Sequence, residues 1–220
     1  MSIYNEGALL AFALDVLILH HSKRKESLHT LMAQLYNNAK ENPEKRAITR
    51  EDYQGTAEEL CGGESLDWFF NDYVYGKESF ERLFLEILPH IGLQLTKTKR
   101  KSVSEGSIGF KHSKANSQII AIFPGSDADL AGLHIGDKVV AVNSVKLNGD
   151  LEQWLNYFDI SNITLTIERN NEYIDLQIPV SKKTYYSDYK LSKGKLPAKE
   201  SILKFKALTG GIKFNDVFED

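Results

Sequence analysis

Few of the residues that mark specialised protein classes are present in this 220-residue sequence. A single cysteine, Cys61, excludes an internal disulfide framework. Five prolines and 15 glycines are too few for a collagen-like or low-complexity chain. A formal net charge of −3 leaves no excess of basic charge for nucleic acid. The composition, 42% hydrophobic and 26% charged, is that of a globular protein long enough to bury its own core.

A long uninterrupted hydrophobic run is also lacking. The most apolar stretch, 8–19, is shorter than the roughly 20 residues that span a bilayer, and Asp15 interrupts it. The residues before this stretch include Glu6 but no Lys or Arg, which disfavours a signal peptide. We therefore predict a buried helix here and no membrane span.

Helical periodicity dominates residues 1–92. Apolar residues recur at helical spacing in five segments, and no alternating strand pattern interrupts them. Ser27 and Ser65 precede two of these segments as N-caps. Thr49 followed by Asp52 predicts a capping box. This part of the chain is predicted to be an all-α helical bundle.

Beyond residue 92 the hydrophobic period changes to two, which is typical of strands. Branched residues concentrate in three short runs, 118–122, 138–142 and 163–167, and each predicts a strand. Asn170-Asn171 predicts a tight turn into a fourth strand at 173–178, which completes a hairpin.

These patterns predict an α+β chain in three parts. Residues 1–92 form a helical subdomain. Residues 93–181 form a second domain, in which two short helices follow Ser126 and Asp150. Residues 182–220 form a linker and a C-terminal helix.

The second domain resembles a PDZ domain. Ser107-Ile108-Gly109-Phe110 is similar to the carboxylate-binding loop, and 123–143 is similar to the PGSPA-x-x-AGL-x-x-GD pattern of bacterial PDZ domains. The resemblance implies a β-sandwich or barrel with two helices. It also implies that backbone N–H groups of Ile108, Gly109 and Phe110 bind the carboxylate of a peptide or protein C-terminus.

A peptide bound there would add as a strand after Phe110, with the helix that follows Asp150 as the other wall. Leu151, Leu155 and Phe158 share one face of that helix and are candidates to line the groove. Two alternatives stay open. These residues could face the domain core, with Trp154 as the competing groove residue, or neighbouring chain could block the groove.

The helical part resembles the glycyl aminopeptidase family of zinc peptidases. YNEGALLAFALDVLI at 4–18 is similar to that family's Y-x-K-G-a-l-l-a-x-x-L-D-x-x-I segment. SLHTLMAQLY at 27–36 and FFNDYVYG at 69–76 are similar to two further family segments. These enzymes are gluzincins, with a thermolysin-like catalytic domain and an appended PDZ domain. The resemblance implies that this chain is the C-terminal part of such a bacterial, exported or periplasmic enzyme.

A gluzincin holds Zn²⁺ with an H-E-x-x-H helix and a later Glu. The sequence has no H-E-x-x-H, and His20 and His21 are adjacent, so they point to different sides of a helix. We therefore predict no metal site and no cofactor in this chain, with zinc only in the full-length enzyme. By the resemblance, Tyr4 is implied to stabilise the oxyanion of the tetrahedral intermediate.

Two functions follow. The first is a C-terminal fragment of a PDZ-containing zinc metallo-aminopeptidase, inactive alone, whose PDZ domain binds a peptide, a protein C-terminus or the missing catalytic domain. The alternative is a stand-alone PDZ adaptor without catalytic activity. A PDZ-bearing serine protease is set aside because G-x-S-x-G is absent.

Overall fold

The computed structural model describes residues 3–44, 47–159, 161–195 and 198–218. The chain divides into two compact units: Met1–Thr96 together with Leu191–Asp220, and Lys97–Lys190. The first unit is mainly helical and the second combines strands with short helices, so the protein is mixed helix and sheet, as predicted. The predicted domain boundaries at 92/93 and 181/182 stay a prediction.

The helices follow the sequence pattern closely. A π-helical turn at Phe70–Val74 and a 3₁₀ turn at Leu88–Ile91 extend two of them, and a separate π-helical turn lies at Ser104–Ile108. The helices of the described chain are α1 (Ile3–His21), α2 (Leu28–Glu41), α3 (Arg50–Leu60), α4 (Asp67–Phe69), α5 (Phe80–Ile87), α6 (Asp127–Leu130), α7 (Leu151–Tyr157), α8 (Lys199–Leu208) and α9 (Phe214–Val217).

Capping side chains start α2, α3 and α5 of the first unit, whereas α4 begins after Leu66 without one, so the predicted N-cap at Ser65 is wrong by one residue. Ser27 accepts a hydrogen bond from the amide of Thr30 at the start of α2. Thr49 and Asp52 form the predicted capping box at the start of α3, with both reciprocal hydrogen bonds present.

Helix α1 provides much of the first unit's core. Its buried residues lie between Ala13 and Leu19, and they pack with α2, α3 and α5. The first turn is exposed, at 78% for Ile3 and 85% for Tyr4. Among the described helices, Ile3–His21 alone has the length and composition of a membrane span. Its buried second half has the packing of a core helix, and the absence of a span stays a prediction.

The strands form three separate sheets in the described chain. Of the predicted sandwich or barrel, the described strands do not form a closed barrel, because these sheets leave edges unpaired. Asn170 and Asn171 have φ of 52° and 64° and make the predicted hairpin turn between β6 and β7. The sheets are β1 (Leu93–Thr98) with β8 (Asp188–Lys193); β2 (Phe110–His112) with β3 (Ile119–Ile122); and β4 (Lys138–Val142) with β5 (Val145–Lys146), β6 (Asn162–Arg169) and β7 (Glu172–Pro179), in the order β5-β4-β6-β7.

Part of the segment predicted as a linker is a strand. β8 pairs with β1, and Gln94 donates from its side-chain amide to Ser192 Oγ at 3.2 Å. The sequence analysis predicted neither strand, since β8 is polar and its partner lies about 90 residues away. The closing helix of the prediction is present as α8.

A buried ion pair lies in the second unit, at the end of the PDZ-like sequence pattern. Arg169 donates from Nε and from an Nη to the two oxygens of Asp137, each at 2.7 Å, and from the Nη to the Gly132 carbonyl at 2.8 Å. The amide of His134 donates to the same Asp137 carboxylate at 2.7 Å. Asp137 is 3% exposed, so this pair links β6 to the turn before β4 in a water-poor site.

Candidate functional site

Gly109 lies at the centre of the predicted carboxylate-binding loop. It follows the π-helical turn with φ of 94°, and a Cβ at this position would collide with the side chain of Ser126. Its amide donates to the Ser104 carbonyl at 2.8 Å. One of the three predicted amide donors is therefore engaged within the loop itself.

The side chains of the predicted loop point into the core. Ile108 and Phe110 are fully buried at 0% exposure, and Ser107 is 4% exposed. The structure therefore brings the predicted residues together, but it buries them as whole residues, so their backbone groups are covered here.

The outer edge of β2 is only partly accessible, because Phe110 is fully buried and His112 is half-buried. Phe123 donates its amide to the Gly109 carbonyl, and Ser113 donates to Gln118, each at 2.8 Å. Because backbone groups alternate in direction along an antiparallel strand, those of Phe110 and His112 point away from β3. Among the described strands, none pairs with this edge.

The predicted groove residues of α7 are divided between core and surface. Leu151 and Leu155 belong to the core cluster, at 1% and 0% exposure, which is the alternative left open by the sequence. Phe158 is half-buried and stacks on Trp154 at 5.8 Å between ring centroids. Trp154 donates from Nε1 to Asp150 at 2.9 Å. That these side chains line a groove stays a prediction.

Glu152 is a functional candidate that the sequence analysis missed. Its carboxylate accepts from the Ser102 hydroxyl at 3.0 Å and from the amides of Val103 and Ser104 at 2.9 and 3.2 Å. It lies 3.6 Å from Nε2 of His112 on β2. A lone glutamate on a short helix has no sequence signature for these contacts, since the partners lie 40 to 50 residues away.

These contacts shift both pKa values. Burial by itself would raise the pKa of Glu152, but hydrogen bonds from His112, Ser104, Ser102 and the Val103 amide lower it to about 2. The hydrogen bond to Glu152 in turn raises the pKa of His112. Both shifts therefore favour the charged form of each group.

A cleft of about 470 Å³ lies beside this pair, between the end of β2 and the start of α7. Basic, acidic and hydroxyl side chains surround it. Its lining residues include Lys101, Ser102, Glu105, His112, Lys114 and Glu152.

The segment after β7 packs on the loop. Tyr185 donates its amide to the Gly106 carbonyl at 3.1 Å, and its buried ring lies 5.5 Å from that of Phe123. Arg100 pairs with Glu105 at 2.7 Å and with Asp188 at 3.3 Å, so its charge is locally neutralised. These contacts pack the segment that contains Tyr185 against the loop.

The predicted catalytic residue, Tyr4, lies in the first unit, and so do His20 and His90. Tyr4 is exposed on the first turn of α1. The ring centroids of His20 and His90 lie 3.7 Å apart, with the rings tilted by 30°. In the ranges that the structure describes, no group of three His, Cys, Asp or Glu side chains could hold a metal ion.

Comparison with known proteins supports the fold. The sequence matches no family model and no curated relative. A solved aminopeptidase N family protein from Idiomarina loihiensis matches 94% of this chain with a TM-score of 0.73 and 21% identity. This chain covers 36% of the length of that protein. At this identity the match shows a shared fold alone.

Two further solved structures match part of the chain. The HtrA3 PDZ domain bound to a phage-derived ligand matches 46% of it at 16% identity, with a TM-score of 0.29. An HtrA-type protease with a decapeptide matches 44% at 16% identity, with a TM-score of 0.30. These TM-scores are too low to establish a common fold.

Proposed function

We propose that this chain is the C-terminal part of a PDZ-containing zinc metallo-aminopeptidase and that its second unit binds peptide C-termini. The unpaired outer edge of β2 is the observation on which the binding function rests. It carries the outward-pointing amide and carbonyl groups of Phe110 and His112 beside α7. Phe110 is covered in this structure, so a peptide has to displace that cover before it gains main-chain hydrogen bonds at the edge.

The helical unit supports the assignment to a larger enzyme. The shared fold covers 94% of this chain but only 36% of the solved aminopeptidase N family protein. The first turn of α1 also exposes Ile3 and Tyr4 in an otherwise apolar helix. In this proposal, that exposed turn is the part of α1 that meets the missing catalytic domain.

In this proposal the chemistry belongs to the missing catalytic domain. The sequence has no H-E-x-x-H, so this chain supplies no zinc ligands and is inactive alone. Tyr4 would donate from its phenol to the oxyanion formed in that domain. The second unit would bind substrate or would bind the catalytic domain of the same polypeptide. A stand-alone adaptor shares the peptide-binding part of this proposal and lacks the rest.

A displayed library of peptides tests the binding function. We expect the purified chain to enrich sequences with free C-termini from a library randomised over its last seven residues. The same sequences synthesised with amidated C-termini should bind at least about tenfold more weakly, since they lose the terminal charge. Equal binding of the free and amidated peptides would show that the chain does not recognise the C-terminal carboxylate. The coding sequence upstream tests the enzyme assignment, because it should encode H-E-x-x-H and a later Glu.

A further inference from the structure

The two walls of the proposed groove are joined by one side chain. Glu152 leaves the second position of α7 and meets Ser102, Val103 and Ser104 of the loop, at 3.0, 2.9 and 3.2 Å. The same carboxylate lies 3.6 Å from the imidazole of His112 on β2. One acidic group therefore connects helix, loop and strand.

A strand that adds to β2 has to occupy the space that this connection crosses. Neighbouring strands lie about 4.8 Å apart, and alternate side chains of each strand point to the same face of the sheet. On β2, the side chain of His112 lies on the face covered by α7, where it contacts Glu152. Side chains of an added strand that point to this face would meet the His112–Glu152 contact.

We propose that Glu152 is an internal gate, which keeps the groove between β2 and α7 closed until a peptide displaces its carboxylate. This inference rests on the proposed peptide-binding function and describes the regulation of the same site. A gate of this kind lowers the apparent affinity by the fraction of molecules that are open. The cleft of about 470 Å³ beside the pair provides space into which the displaced side chain can move.

Acid does not open this gate at ordinary pH. Glu152 keeps its charge far below neutrality because four groups donate to it. Loss of the proton from His112 as the pH rises would remove one of those four groups and leave the loop contacts in place. Opening therefore requires a ligand that competes for the space.

The test compares four forms of the full chain against the same displayed library with free C-termini. Glu152→Ala removes the gate. His112→Ala removes only its contact with β2 and keeps the anchors on the loop, so it serves if Glu152→Ala unfolds. Glu168→Ala is the matched control, since it removes a surface glutamate whose partner is Lys138 on the four-stranded sheet. Circular dichroism confirms that each variant is folded.

We expect Glu152→Ala to bind the selected peptides about tenfold more tightly than the natural sequence, if nine in ten molecules are closed. His112→Ala should show a smaller gain, and Glu168→Ala no change. Equal or weaker binding by folded Glu152→Ala and His112→Ala would overturn the gate and would show that Glu152 only supports the loop. In that case binding by the natural chain still supports the proposed function. Failure of every form to select peptides would overturn both.

Discussion

Nζ of Lys204 lies 3.1 Å from Nδ1 of His20, in a site where the lysine is only 7% exposed. A lysine ammonium group can only donate hydrogen bonds. Nδ1 of His20 must therefore be unprotonated, so that its lone pair can accept one. The ring of His90 stacks on His20 from the other side. Protonation of His20 at Nδ1 would therefore break its hydrogen bond with Lys204 and place two positive charges in contact.

The helical unit should lose stability in acid through this site. Burial, followed by the charges of His90, Lys204 and His21, lowers the pKa of His20 from 6.5 to about 4. Between these two pH values the unfolded chain binds the proton and the folded chain does not. Stability should therefore fall as the pH decreases from 6.5 to 4.

Urea unfolding at several pH values measures this effect. His20→Asn keeps an acceptor for Lys204 but cannot titrate, so the slope of stability with pH should decrease in this window. His29→Asn changes an exposed histidine on α2 and should leave the slope unchanged. An unchanged slope in His20→Asn would show that other groups cause the acid sensitivity.

Removal of one partner from the Asp137–Arg169 pair should destabilise the second unit strongly. Asp137→Asn removes a buried carboxylate and leaves the partly exposed Arg169 without its bidentate partner, which costs about 2 kcal/mol. Glu168→Ala removes an exposed pair with Lys138 and should cost less than about 1 kcal/mol. Chemical denaturation measures both values, and similar small losses would mean that the buried pair contributes little.

The loop conformation should depend on Gly109. Gly109→Ala combines a positive φ with a collision against Ser126, whereas Gly149→Ala has φ of 81° and no neighbour within 4 Å. The positive φ alone costs about 1–2 kcal/mol. The free energy of unfolding should therefore fall further in Gly109→Ala than in Gly149→Ala. Equal losses would mean that the loop moves to accept the methyl group.

The purified chain should not hydrolyse peptides. We expect no zinc-dependent release of amino acids above a chelator-treated control, because the sequence lacks the H-E-x-x-H ligands. Activity that a chelator abolishes and added zinc restores would reveal a metal site made by this chain.

Local signals in the sequence were sufficient for most elements. The capping box at Thr49, the turn at Asn170 and the strand Lys138–Val142 depend on residues close in sequence, and each is present. The β1–β8 pair and the contacts of Glu152 depend on residues far apart in the chain. No periodicity encodes such contacts, so they could not be predicted.

The burial of Leu151 and Leu155 shows a second limit. The prediction that they share one face of α7 is confirmed. Helical spacing alone does not determine whether an apolar face contacts the core or a ligand. Tertiary packing decides this, and here both side chains lie in the core.

Amide chemical-shift mapping of the ¹⁵N-labelled chain tests the central claim most directly. A library-selected peptide with a free C-terminus should perturb the amide signals of Phe110, His112 and the first turn of α7, whereas its amidated form should perturb them far less. Identical shifts from both peptides, or shifts confined to residues distant from β2 and α7, would contradict terminus binding at this edge.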